Sequence, residues 1–579
     1  MLGCSLAVLT LLAAFHSPRL SDDSYSHYGV SVETIANADW RSLVTDTWNK
    51  PITAVAYGII GQVGLFPARL VSVLISLATA FLVYRIAVVF LSSEAAMHPL
   101  TAVAFFLCQV SVFTQAFLTM TELLAAFFLV LGIRSIQKNK LAWAFILIGL
   151  MSLARVESCL IAGWVFLVMS PNVLRIEGLT RVNILRLAGY GVLEVLPFTL
   201  WWFCGWLYSQ NPFWMSAGYV YLRPFTLKGV LSVNAFTGLP AVLSAPLLML
   251  FILGCFRLPA FAGDQKESAG RWPIMLILYG TVLIHCVFLS LFVVYPRGSG
   301  YGEMAIGALN PRNYNLIAPV VAVFIFAGAL SLFGWPTKLD ERKERRLRLA
   351  SLLLAQVSII GFFFFNQQFP FKPSMALGAV RMVQQSVLLA GFMLVVLVCS
   401  WKMRRSKNPD GFIRVGILYV AAYCIISLPL TDPVFWYPLR SGDRNALAQE
   451  EFSGWCKTNI TESNIVVVQD MNGRMDWFCK FPELKAIWVY AGLFQKTLDL
   501  LPVGTMALIE TDEEHVPRSR YPQSLISKLN SDQYKCLARS AVHVPFKPWE
   551  SLIRAISTRN DQTGWILYEK VSNSAATHD

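Results

Sequence analysis

Apolar runs that can cross a bilayer, once their flanks are included, recur from Leu2 to Leu430, and nothing else in the chain limits its fold as strongly. After Leu2–Phe15 they occupy Ala68–Leu91, Pro99–Val112, Leu123–Gly132, Leu141–Leu153, Leu160–Met169 and Gly189–Tyr208. The series continues with Gly238–Phe256, Pro273–Val294, Leu316–Trp335, Ala350–Phe365, Ser386–Trp401 and Val415–Leu430. Backbone polar groups inside hydrocarbon must be satisfied within the segment, so the runs predict helices, about thirteen in all. A mean hydropathy of +0.54 with only 14% charged residues excludes an ordinary soluble protein. Leu2–Phe15 is short, but it lacks a preceding basic residue and a small-x-small cleavage site, so it is read as an uncleaved first span.

The formal charge of +13 is not spread evenly. With a cytoplasmic N-terminus, inner loops and span ends carry twenty-one Lys and Arg and outer ones ten, which satisfies the positive-inside rule. The basic excess is then explained by cytoplasmic loops, and no nucleic-acid partner is expected. An odd number of spans places everything after Leu430 outside, in a multi-pass protein of the plasma (bacterial inner) membrane.

That tail, Thr431–Asp579, is polar, with short apolar runs at Asn464–Val468, Ala486–Tyr490, Met506–Ile509 and Trp565–Tyr568 that predict strands. Helical spacing at Asn445–Lys457 and Gln523–Leu529 completes a small α/β domain. The expected organisation is therefore an α-helical polytopic membrane module, 1–430, with a long first outer loop, 17–52, followed by an extracytoplasmic α/β domain, 431–579. Eight of the eleven cysteines lie in or beside apolar runs, where they act as small hydrophobes. Cys456, Cys479 and Cys536 lie in the tail and allow one disulfide with one thiol left over. No metal-ligand spacing is present, His16, His27, His98 and His285 read as structural, and Asp340–Arg348 reads as a charged turn.

Chemistry concentrates at outer span ends. Asp22 and Asp23 open the polar segment Ser21–Pro51, and acidic residues beside a bilayer are costly to place. Either they supply a general base for an incoming hydroxyl or amine, or they cap the helix whose periodicity covers Tyr25–Ala36. Lys50 suits a phosphate or an interfacial anchor. Glu122 is an acidic group at a span start, favoured there by the helix dipole, and Arg155 with Glu157 suits an internal ion pair. Arg297 and Arg312 lie in the glycine-rich loop Tyr295–Tyr314, and arginine's planar fork suits either a phosphate or a headgroup.

The run DDSYSHYGVSVETIANADW followed by NKP resembles the first external loop of the GT-C membrane glycosyltransferases, in the branch of the protein O-mannosyltransferases and the lipid A aminoarabinose transferase. Asp22, Asp23, Asp39, Trp40, Lys50 and Pro51 fall on that loop's pattern. The resemblance implies a GT-C-like fold with Asp22, backed by Asp23, as catalytic base and Lys50 as a ligand of the donor phosphate. It extends to Glu122 as a second acidic residue, to Arg155-Val156-Glu157 as the family's Arg-x-Glu, and to Arg312 and Tyr314 as its late Arg-Tyr with one residue inserted. Where relatives carry a metal-binding Glu before Lys-Pro, this chain has Asn49, so no metal or other cofactor is expected.

The implied activity is an inverting hexosyl or pentosyl transfer, mannosyltransferase-like, from an undecaprenyl or dolichyl phosphate to a glycan, lipid or protein acceptor on the outer face. Membrane lipid is the other expected partner. A lipid-linked glycan ligase or polymerase is the neighbouring alternative, and a polytopic transporter or flippase the alternative of another class. The latter would show two related halves and ionisable groups at mid-membrane, whereas the acidic candidates here sit at outer span ends.

Overall fold

The structure, a computed structural model, describes residues 9–10, 22–45, 49–91, 98–217, 239, 242–263, 271–292, 311–333, 341–365, 375–404 and 409–431 of the apolar part. In the tail it describes 451–452, 454–455, 458–459, 465–469, 485–489, 497–513, 516–517, 523–543 and 562–572. Two compact units are present. One comprises Met1–Phe15, Val30–Pro296 and Glu303–Trp436, the other His16–Gly29, Arg297–Gly302 and Tyr437–Asp579.

The chain is mostly helical. After α1 (Asp22–Ala36) and the short α2 (Ser42–Thr45) come α3 (Pro51–Gly61), α4 (Leu65–Leu91), α5 (Pro99–Leu107), α6 (Val110–Gln115), α7 (Thr121–Gln137) and α8 (Leu141–Leu150). Then follow α9 (Cys159–Glu177), α10 (Arg181–Ser209), α11 (Trp214–Ala217), α12 (Ala245–Gly263) and α13 (Arg271–Phe292). A 3-10 turn at Pro311–Leu316 precedes α14 (Ala318–Leu332), α15 (Glu341–Phe365), α16 (Met375–Arg404) and α17 (Pro409–Thr431).

Among the described residues five stretches are long and apolar enough to cross a membrane: Leu65–Leu91, Val156–Arg175, Arg181–Ser209, Arg271–Leu289 and Met382–Lys402. Shorter apolar helices accompany them, and α14 is buried along its whole length. Around it α4, α5, α7, α12 and α17 form one continuous apolar core. Bilayer chemistry explains the division, since helices such as α10 and α16 keep large apolar side chains on the outside, where lipid is the solvent.

Three expectations are corrected. The run Pro99–Val112 is not one helix: it breaks at Cys108 and Gln109, and the Gln109 amide donates to the carbonyls of Phe105 (3.1 Å) and Ala318 (2.8 Å). Residues 341–348 are not a turn but the start of α15, because a helix leaving the bilayer keeps its backbone pattern while its side chains turn charged. Pro51 and Ile52, expected as the end of the first outer loop, instead open an apolar helix, Pro51–Gly61, with a π turn at Ala54–Gly58. The last of these crosses α1 so closely that any side-chain carbon at Gly58 would run into the Ser31 carbonyl.

In the tail, β1 (Ile465–Gln469), β2 (Lys485–Val489), β3 (Met506–Glu513), β4 (Val516–Pro517), β5 (Tyr534–His543) and β6 (Gln562–Lys570) form one sheet, with α18 (Gln523–Leu529). The order is β2-β1-β3-β6-β5 with β4 on β3; β1 pairs in parallel with β2 and β3, and the remaining pairs are antiparallel. Strict alternation sends Ala507, Ile509, Ile566 and Tyr568 into one apolar cluster with Leu525 and Leu529 of α18. Met506, Leu508, Trp565 and Leu567 enter a second cluster with Phe452 and Val466. Lys570 closes the sheet's end by donating to the carbonyls of Leu498 (3.0 Å), Asp499 (3.2 Å) and Leu501 (2.7 Å). Cys536 is an exposed free thiol, and Cys456 and Cys479 lie outside the described residues.

Candidate functional site

The site grows from an arginine between two short 3-10 turns. Residues 151–153 and 156–158 wind as 3-10 helix, leaving Arg155 extended between them (φ −145°, ψ 113°). An extended residue there throws its side chain clear of α8 and α9, toward the start of α7. Its Nη1 donates to Glu122 Oε1 at 2.7 Å and its Nε to Glu157 Oε1 at 2.5 Å. Nη2 also pairs with Glu157.

Glu122 is almost wholly buried (2% exposed) while Arg155 keeps 20%. The sequence presented Glu122 and the Arg-x-Glu as separate features; the fold makes them one network of two carboxylates on one guanidinium. Glu122 is held from both sides. Thr121 Oγ1 lies 3.2 Å from Glu122 Oε2 and donates to it, and Tyr57 of α3 donates to the Met120 carbonyl at 3.2 Å.

Lys50 belongs to the same neighbourhood. It is the last extended residue before α3, where Pro51 takes the first helical position and needs no N–H partner. Only 7% exposed, its Nζ lies 5.7 Å from the ring centroid of Trp201, within cation–π range, and the helix that follows it packs on the 151–153 turn. Trp201 is fixed in turn, donating its indole N–H to the Leu43 carbonyl at 2.6 Å and meeting Trp214 edge to face.

Asn49, the departure from the family pattern, is 1% exposed and has a defined task. Its amide donates to Thr34 Oγ1 (2.5 Å) and Ser42 Oγ (2.7 Å), tying the end of α1 to α2 just before Lys50. A neutral donor suits two hydroxyl acceptors, whereas a carboxylate would have to accept from them.

His285, in α13, has a part that spacing alone does not reveal. Buried, and within electrostatic range of Glu157, its Nε2–H donates to the Asn313 carbonyl at 2.7 Å. Asn315 donates to the Ser111 carbonyl at 3.3 Å and also to Gln115. The turn Pro311–Leu316 is thereby pinned on both sides of Tyr314, which is buried at 1% exposure and packs within the core. Arg312 lies in this turn; its side chain, and the whole of Arg297, fall outside the described residues. Asp22 and Asp23 are the first two residues of α1, and their side chains fall outside as well.

The geometry therefore brings Lys50, Glu122, Arg155, Glu157 and the Arg312 turn to one end of the helical unit. Sequence reasoning missed Trp201, Tyr57 and the Asn49 clamp. It also passed over His285, whose only signal was a polar group inside an apolar run.

No family model and no curated protein matches the sequence. Among solved structures that match is the crystal structure of ArnT from Cupriavidus metallidurans in the apo state, at 14% identity and a TM-score of 0.56. ArnT from the same organism bound to undecaprenyl phosphate matches at 13% identity and a TM-score of 0.52. Each match covers 98% of this chain and 97% of the other. What is shared at such identities is architecture: the chain is a multi-pass membrane protein with the fold of ArnT.

Proposed function

We propose that the chain is a GT-C membrane glycosyltransferase that moves a sugar from a polyprenyl phosphate to an acceptor, inverting the anomeric carbon. The observation that carries this reading is the full-length likeness to a protein solved with undecaprenyl phosphate bound. The site at the helix ends agrees with it. A polyprenyl donor keeps its tail in the bilayer and presents its phosphate at the surface, where Lys50 and the Arg312 turn lie.

In this reading Asp22, with Asp23 beside it, accepts the proton of the acceptor's hydroxyl or amine. The freed electron pair attacks the anomeric carbon, and the bond from that carbon to the phosphate oxygen breaks. The lipid phosphate departs with that bond's electrons, and its growing charge is met by Lys50 and Arg312. Arg155 is already engaged by Glu122 and Glu157, so it shapes the site and leaves phosphate binding to the other cations. Residues 1–430 form the catalytic module and 431–579 an extracytoplasmic domain. The acceptor is a glycan, lipid or protein on that side, and the reaction is assigned no metal.

The test separates donor from acceptor. Lys50→Ala and Arg312→Ala should each lower kcat/KM for the polyprenyl-phosphate sugar by roughly ten- to a hundredfold, the loss of one charge-assisted hydrogen bond of about 1.5–3 kcal/mol. Acceptor dependence should stay unchanged, and Asp22→Asn should abolish transfer without impairing insertion. Variants that alter only acceptor dependence would overturn the phosphate assignment. Substrate translocation by the purified wild-type protein, with no glycosyl transfer, would overturn the enzyme.

A further inference from the structure

Away from this site, α15 and α16 pack side by side and leave an open groove between them, about 510 Å³ in volume. Its walls are apolar: Leu352 and Leu353 from α15, Leu389, Met393, Leu394 and Leu397 from α16. The two polar residues that line it are satisfied within it, since Gln356 donates to Ser386 Oγ at 2.7 Å and Ser386 to the Met382 carbonyl at 2.9 Å. A ligand meets only hydrocarbon there. Leu353, Leu394 and Leu397 are exposed, so the groove opens outward, toward lipid.

Among the described residues, the exposed charges beside the groove gather at one end. Helical spacing carries the α15 wall from Leu352 and Leu353 back through exposed Leu349 to Arg345 and Arg346, about 10 Å along the axis. The α16 wall continues one turn past Leu397 to Trp401, and Lys402 follows it in the chain. Arg345, Arg346, Trp401 and Lys402 are all exposed, and no ion pair among the described residues engages the three cations. Glu344, an acid among the described side chains there, is occupied by Arg348 at 2.7 Å and Arg257 at 3.6 Å.

This end lies opposite the candidate site. Arg348 donates to the carbonyl of Ser331, near the end of α14, while the Asn313 turn bound by His285 precedes the start of that helix. The fifteen residues of α14 separate the two levels by about 22 Å.

We propose that the groove is a binding site for an anionic phospholipid of the leaflet opposite the candidate site. One acyl chain lies between α15 and α16, the phosphate meets Arg345, Arg346 and Lys402, and Trp401 sits at headgroup level. Three cations and an interfacial indole at the mouth of an apolar slot select a negative headgroup attached to hydrocarbon. A donor lipid whose phosphate meets Lys50 would have its charge at the wrong end, so the site is independent of the reaction proposed above.

Native mass spectrometry of the purified full-length protein tests this, titrating phosphatidylglycerol against phosphatidylcholine of the same acyl chains. The wild type should retain phosphatidylglycerol at least about tenfold more strongly, since each basic residue near the headgroup contributes about fivefold. Replacing all three exposed cations (R345Q, R346Q, K402Q) should bring the two lipids within about twofold of each other. Ala390→Phe, which fills the groove, should lower retention of both. Equal retention by the wild type, a preference that survives the triple substitution, or full phosphatidylglycerol retention by folded Ala390→Phe would each overturn the site.

Discussion

Arg155 decides whether the acidic cluster is tolerable. Two carboxylates converge on it, and Glu122 has almost no access to water, so removing the guanidinium leaves two buried charges facing each other. Breaking such a pair usually costs about 3–5 kcal/mol. The partial exposure of Arg155 puts the expected loss for Arg155→Ala at the low end, about 3 kcal/mol, read as a lowered unfolding midpoint in detergent. Glu122→Gln on that background should recover part of the loss, because one uncompensated charge is gone. An Arg155→Ala protein as stable as wild type would show that water or another cation already screens these acids. The cluster also marks the limit of legibility at this scale. Glu122 and Arg155 are each recognisable as ionisable groups at span ends, but they are 33 residues apart and only tertiary packing says that they pair.

At the level of elements, α12 and α14 cross at a point made by two glycines. A Cβ on Gly254 would run into the Phe324 carbonyl, and one on Gly328 into the Leu250 carbonyl, so the contact is reciprocal and backbone to backbone. Small residues at such crossings are how helices approach where no hydrophobic force drives them together. Gly254→Ala and Gly328→Ala should therefore each destabilise, by about 1–3 kcal/mol for an overpacked core. The double variant should lose less than the sum, since helices already parted by the first methyl make room for the second. Additive losses would mean that the two positions relax separately. Legibility in the sequence follows the same physics. Strands built on a short continuous apolar run, as β1, β2, β3 and β6 are, are visible in it. β5 is not, because its apolar residues are interrupted by Lys535, Arg539 and Ser540, and its register shifts between Cys536 and Ala538. Apolar runs located the helices, but their ends were misjudged wherever a helix continued into water, as α15 does through Arg342–Arg348.

For the whole molecule, the helical unit has two levels, and that makes its topology testable. Glu122, Arg155 and the Asn313 turn share one level through direct bonds and the reach of Glu157's field to His285. Arg257, Ser331, Glu344 and Arg348 share the other. α7 leads from Glu122 toward Arg134 and the basic turn that ends at Lys140, and α14 leads from the Asn313 turn to Ser331. Reporters fused after Lys140 and after Arg346 should thus report the same compartment, and the positive-inside rule makes it the cytoplasm. A fusion after Lys407 should join them, and one after Asp470 should report the outside. Disagreement between the first two fusions would contradict the fold itself. Agreement with inverted sign would keep the fold and turn the candidate site toward the cytoplasm, where a donor would have to present its phosphate on the inner leaflet. A cytoplasmic report from Asp470 alone would leave the helical unit intact and place the tail on the face away from the proposed chemistry.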